Sequence, residues 1–180
     1  FGGPGGSSDL ELPVQQLGAW VPGSGAVIFP EDTGIEVPPG SKIILQMHYN
    51  VANTDGQPDQ TTLDITFTDE VKHKGGFAPW LNAGWVLGGM EIAPGEPTVT
   101  YAHRGSPLGF FDFILGGDLD LSRGFVIHSA MLHMHQLGAR GVTTVHRTDG
   151  TRETLLEIPE WDFDWQLSYR LANPVVFGAD

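Results

Sequence analysis

The sequence contains no cysteine. Disulfides, thiolate zinc sites, Cys-x-x-Cys redox chemistry and a cysteine nucleophile are therefore excluded. Positive charge is scarce as well: 9 Lys and Arg stand against 22 Asp and Glu, a formal net charge of −13 over 180 residues. Such a chain repels phosphate backbones and anionic lipid headgroups, which argues against nucleic-acid binding and electrostatic membrane attachment. No apolar run approaches the roughly 20 residues of a membrane-spanning helix. Helical stripes are few, because 25 Gly and 13 Pro interrupt most candidates. A Gly-x-Ser-x-Gly elbow is missing too, which disfavours a serine hydrolase. The hydrophobic fraction of 40% still permits a packed core. Left for chemistry are seven His, four Met, many carboxylates and the hydroxyls.

Short β-type runs separated by turn residues dominate the pattern. Residues 41–49 (SKIILQMHY) follow Pro38-Pro39-Gly40. Residues 61–68 (TTLDITFT) alternate, with Leu63, Ile65 and Phe67 on one face and Thr62, Asp64, Thr66 and Thr68 on the other. Further strands are expected over 84–92, 98–103 and 125–137. A hairpin is expected from 141–147 to 151–158 across Thr148-Asp149-Gly150. The fold class is all-β, a jelly roll or β-sandwich. Residues 1–18 form a flexible Gly-rich start. A boundary near 73–80 (HKGGFAPW) divides 19–76 from 77–180, as parts of two tandem sandwich domains. The chain opens with Phe and is read as a piece of a longer precursor.

The strongest local signal for chemistry is His133-Met134-His135. On a strand both imidazoles project to one face, with Cβ atoms about 6–7 Å apart, so two ring nitrogens can reach one metal ion. Imidazole pairs suit Zn, Cu, Fe or Ni, and a thioether partner favours Cu(I). Ser129 and Met131 share that face by parity, while His128, Leu132 and Met134 point away. A second signal is the run Leu45-Gln46-Met47-His48-Tyr49-Asn50, with Gln46, His48 and Asn50 on one face. His73, His103 and His146 neighbour Lys or Arg and read as solvated surface. Glu160, Asp162 and Asp164 alternate with Trp161, Phe163 and Trp165, which reads as an acidic solvated face backed by a buried aromatic one.

Taken in order, these features carry a resemblance. Trp20-Val21-Pro22-Gly23 precedes Gly40-Ser41 and the Leu45–Asn50 run; His128 and His133-Met134-His135 follow, and then WDF-x-WQ-x-x-Y at Trp161 to Tyr169. From about Trp20 onward the chain resembles the copper type II, ascorbate-dependent monooxygenases, above all their bacterial-type members. The resemblance implies two jelly-roll domains, each holding one copper ion, across a solvent-filled cleft. It implies that His133 and His135 are ligands and catalytic residues of the copper where O2 reacts. It implies that His48 is a ligand of an electron-transfer copper, with Gln46 near the electron route. Ascorbate or another one-electron reductant, a small organic substrate and an extracytoplasmic location follow from the same likeness. The chain has no His-His pair and no Met beyond Met134. The other electron-transfer ligands and the methionine of the catalytic copper are therefore expected outside it, with Met131 the alternative by parity. The amidating members carry Arg where this chain has Met131, so a peptide C-terminus is not the expected substrate. Readings of other classes are a non-catalytic copper-binding or structural sandwich, a cupin-like Zn or Fe site, and a carbohydrate-binding sandwich using the five Trp.

Overall fold

A computed structural model describes residues 15–49, 55–115 and 119–178. Most of the Gly-rich start expected over 1–18, together with Asn50, lies outside the described residues. The described chain is β-rich, 21% strand and 7% helix. Its strands form three two-stranded sheets. In the first, β1 (Thr33–Gly34) runs parallel to β2 (His73–Lys74). Ion pairs Lys72–Asp32 and Lys74–Glu36 flank that contact. Next come two short helices, α1 (Ala83–Val86) and α2 (Leu108–Ile114), and a 3-10 turn at Leu121–Arg123.

The second sheet pairs β3 (Phe125–Ala130) antiparallel with β6 (Tyr169–Phe177). The third is the hairpin of β4 (Gly141–His146) and β5 (Arg152–Ile158). The turn chemistry expected at Asp149-Gly150 is present in full. Gly150 takes φ +87°, and the Asp149 carboxylate accepts from the Thr151 N–H and hydroxyl at 2.8 and 2.7 Å. Only a residue without Cβ adopts that φ at low cost. Arg147 then ties the hairpin to β6. Its Nη1 donates to the Val176 carbonyl at 2.5 Å, and its guanidinium lies 5.5 Å from the Phe177 ring centroid.

Packing is concentrated around α2, β3 and β6. Phe125 stacks on Phe177 with centroids 4.6 Å apart, and Phe111 of α2 meets Phe125 edge-on at 5.7 Å. Trp80 joins from the other side against Phe110 and Phe111. Leu115, Leu121, Val145 and Val175 are the buried aliphatic residues.

Several expected strands are not strands here. Residues 84–92 begin with α1 instead, because Asn82 caps it by accepting from the Gly84 N–H at 2.9 Å, and Gly88 at φ +98° lies just past its end. A local side-chain cap thus overrides the β pattern. Residues 41–49, 61–68 and 98–103 form no ladder. Alternation makes a strand only where another strand supplies hydrogen bonds, and none lies alongside them among the described residues. Their apolar side chains stay largely open, with Ile44 65% and Phe67 64% exposed. The expected 125–137 strand stops at Ala130, and β6 appears where no strand was expected.

Two glycines separate local strain from packing. Gly124 (φ +90°) and Gly150 (φ +87°) both have positive φ, but a Cβ on Gly124 would strike the Phe177 carbonyl oxygen, whereas one on Gly150 meets nothing within 4 Å. Gly150→Ala is expected to cost about 1 kcal/mol. Gly124→Ala is expected to cost about 3 kcal/mol, because β3 and β6 must also part. Urea unfolding followed by Trp fluorescence measures both, and equal losses would contradict the β3–β6 packing.

Candidate metal centre

His133 and His135 follow directly on β3, and the β3–β6 register decides what faces them. Ser129 pairs with Arg170 and Ala130 with Tyr169. Continuing that register by three residues sets His133 opposite Gln166. The backbone ladder ends at the Ala130–Tyr169 pair, and just before Gln166 residues 162–165 form a turn. Trp165 N–H donates to the Asp162 carbonyl at 3.2 Å, and the Asp162 carboxylate accepts from the Asp164 N–H at 2.9 Å. A side-chain pair replaces the backbone bonds: His133 Nδ1 lies 2.6 Å from Gln166 Oε1.

The alternation expected of the His-x-His segment is kept. The two imidazoles lie with centroids 5.2 Å apart and planes at 80°. Leu132 and Met134 go the other way, against the backbone of 138–141. A Cβ on Gly138 would come within 2.8 Å of Met134 Cβ and Trp161 Cδ1, and one on Gly141 within 2.9 Å of Leu132 Cδ1. Glycine at these positions lets the turn after His135, closed by Gly138 N–H to the His135 carbonyl at 2.9 Å, lie flat on that packing. His135 is exposed and His133 half-buried.

Gln166 is 1% exposed. Its Nε2 donates to the Phe163 carbonyl at 2.7 Å, which turns Oε1 toward His133. Burial, with the charge of neighbouring His135 adding to it, pushes the His133 pKa below the usual histidine range, and the Gln166 hydrogen bond opposes this without reversing it. His133 is therefore neutral near pH 7, the form that binds metals. Metal–nitrogen bonds of about 2.0–2.1 Å put the centroids of two imidazoles on one ion about 5 Å apart at a tetrahedral angle. The observed pair fits that spacing. Its soft-to-borderline nitrogen donors suit copper in either oxidation state.

Other expected site residues are not drawn into this centre. Gln46 and His48 are exposed in the segment 41–49, outside any strand. Among the described residues no three His, Asp or Glu side chains gather as a metal-binding group. Met131 is half-buried one alternate position before His133. His128 sits where the β3–β6 register shifts, and is half-buried. His103 is exposed but not merely solvated, since its ring lies 5.2 Å from Trp80 and 6.2 Å from Trp85. The strand expected over Glu160 to Trp165 is instead the turn just described, and Trp165 is 61% exposed rather than buried. Glu160, Trp161, Asp162, Phe163 and Trp165 line an open hollow. Gln166 is the residue that sequence reasoning missed. It stood in the WDF-x-WQ segment as a family marker, and only the register of β6 reveals its partner.

Because the native pKa of His133 is depressed, the unfolded chain takes up this proton first as pH falls. The stabilisation is complete above the ordinary histidine value of about 6.5 and is lost as pH drops from there through the lowered native value. In an NMR titration of the metal-free chain the His133 ring is expected to titrate below about 6.5. A midpoint at or above that value would contradict the burial described here. No family model, curated protein or solved structure matches the chain.

Proposed function

We propose that the chain belongs to a copper-dependent monooxygenase of the ascorbate-dependent type II class, with His133 and His135 as two ligands of the catalytic copper. The carrying observation is the His133–His135 pair, with one ring neutral, half-buried and hydrogen-bonded through Nδ1 to a buried amide. In this reading the β-rich chain contributes to two tandem jelly-roll domains, 19–76 and 77–180, with His48 and Gln46 on the electron-transfer side of the first. Bound at His133 and His135, copper supplies the redox chemistry for C–H + O2 + 2 e⁻ + 2 H⁺ → C–OH + H2O. The two electrons come from ascorbate or another one-electron reductant. The chain's own part is to hold two imidazoles in place, that of His133 partly shielded by the Trp161–Gln166 segment and that of His135 open to solvent. A small organic substrate and an extracytoplasmic setting belong to the same proposal. No helix among the described residues is long and apolar enough to cross a membrane.

A second reading is copper binding without turnover. It is favoured by the same pair standing without a third clustered His, Asp or Glu among the described residues.

Anaerobic Cu(I) titration tests the shared core of both readings. One Cu(I) per chain is expected, with affinity reduced at least about 100-fold in the His133→Ala/His135→Ala double variant. His48→Ala is expected to leave this affinity unchanged. Binding indifferent to both histidines would remove the proposal. If binding is as expected, reductant-dependent O2 consumption with a hydroxylated product separates an oxygenase from a copper carrier.

A further inference from the structure

We infer that Gln166 is a positioning residue that holds His133 as its Nδ1–H tautomer, making Nε2 the metal-facing nitrogen, and that the turn at residues 21–24 seats the loop carrying Gln166. The metal-facing role rests on the reading above; the tautomer does not.

The argument starts from the amide. A glutamine side chain ends in an oxygen that only accepts and a nitrogen that only donates. Nε2 of Gln166 lies 2.7 Å from the Phe163 carbonyl, itself only an acceptor. The reverse orientation would set two oxygens against each other in a place that is 1% exposed. Oε1 therefore faces His133 Nδ1 at 2.6 Å, and the proton between them belongs to the ring. A neutral imidazole protonated at Nδ1 carries its lone pair on Nε2. An amide also suits the task better than a carboxylate. A carboxylate would draw His133 toward imidazolium and set a proton in competition with a metal.

The loop that presents Gln166 is seated from far away in sequence. Residues 21–24 form a turn closed twice on the Val21 carbonyl, by Ser24 N–H at 2.9 Å and Ser24 Oγ at 2.7 Å. Ser24 Oγ also accepts from the Val21 N–H at 3.0 Å. The Pro22 carbonyl accepts the backbone N–H of Gln166 at 3.5 Å. Gly23, inside that same turn, has φ +83°, and a Cβ there would reach within 2.5 Å of the Asp164 carbonyl oxygen and 3.1 Å of Trp165 Cα. Only glycine permits that approach.

Long-range ¹H–¹⁵N NMR of the histidine rings in the metal-free chain near pH 7.5 reads the tautomer directly. In the unmodified chain His133 is expected to be protonated at Nδ1. Gln166→Leu is expected to shift it to a mixture with Nε2–H. Gln166→Glu keeps an acceptor toward His133 but loses the donor to the Phe163 carbonyl, so it is expected to keep Nδ1–H at a cost in stability. Gly23→Ala is expected to mix the tautomers, and Gly25→Ala, whose Cβ meets nothing within 4 Å, is expected not to. Should Gln166→Leu fail to fold, Gly23→Ala against Gly25→Ala carries the test.

In the same variants Cu(I) affinity is expected to fall about 10–100-fold for Gln166→Leu. An Nε2–H ring in the unmodified chain, or tautomers indifferent to Gln166 and Gly23, would overturn the inference. The expected tautomers without His133-dependent copper binding would uphold the positioning role and remove the metal reading instead.

Discussion

The antiparallel register of β3 against β6 is the constraint on which the rest of the structure depends. It aligns Ala130 with Tyr169 and so brings His133 opposite Gln166 where the backbone ladder has ended. A single hydrogen bond of this kind contributes about 0.5–1.5 kcal/mol net. Its loss costs more, about 1–3 kcal/mol, because the amide would be left buried without its acceptor satisfied. The ring and the amide therefore hold each other. Arg147 reinforces the same sheet from the hairpin side through the Val176 carbonyl and the Phe177 ring.

The chemistry of the pair follows from that arrangement. In a chain with a net charge of −13, carboxylates are plentiful, yet the group against His133 is a neutral amide. Burial then keeps the imidazole uncharged rather than drawing it into an ion pair. His135, exposed beside it, adds a second nitrogen and further disfavours protonation of the first. In the proposed copper reading, that uncharged ring is the form that accepts a metal ion.

How much of this was legible in the sequence varied from element to element. The hairpin was legible because Asp149-Gly150 closes it with local hydrogen bonds alone. The facing of His133 and His135 was legible because extended chain alternates whether or not it is paired. β6 was not, since Asn173 and Pro174 lie within it and read as turn residues. The structure accommodates them by setting residues 171–174 against His128 alone, where a proline's missing N–H costs nothing to the ladder. Residues 160–165 misled in the opposite sense: their acidic–aromatic alternation looks like a strand, but the Asp162 carboxylate captures the Asp164 N–H and turns the chain. Periodicity was equally clear in 41–49 and 61–68, which form no ladder. A period describes one strand; a sheet needs two.

The most direct test of a copper centre built on this pair is X-ray absorption at the copper edge of the Cu(I)-loaded chain. Outer-shell scattering from imidazole rings counts the histidines on the metal. The account predicts two histidine ligands in the unmodified chain and one after His135→Ala. A spectrum without imidazole scattering, or one that His135→Ala leaves unchanged, would contradict it.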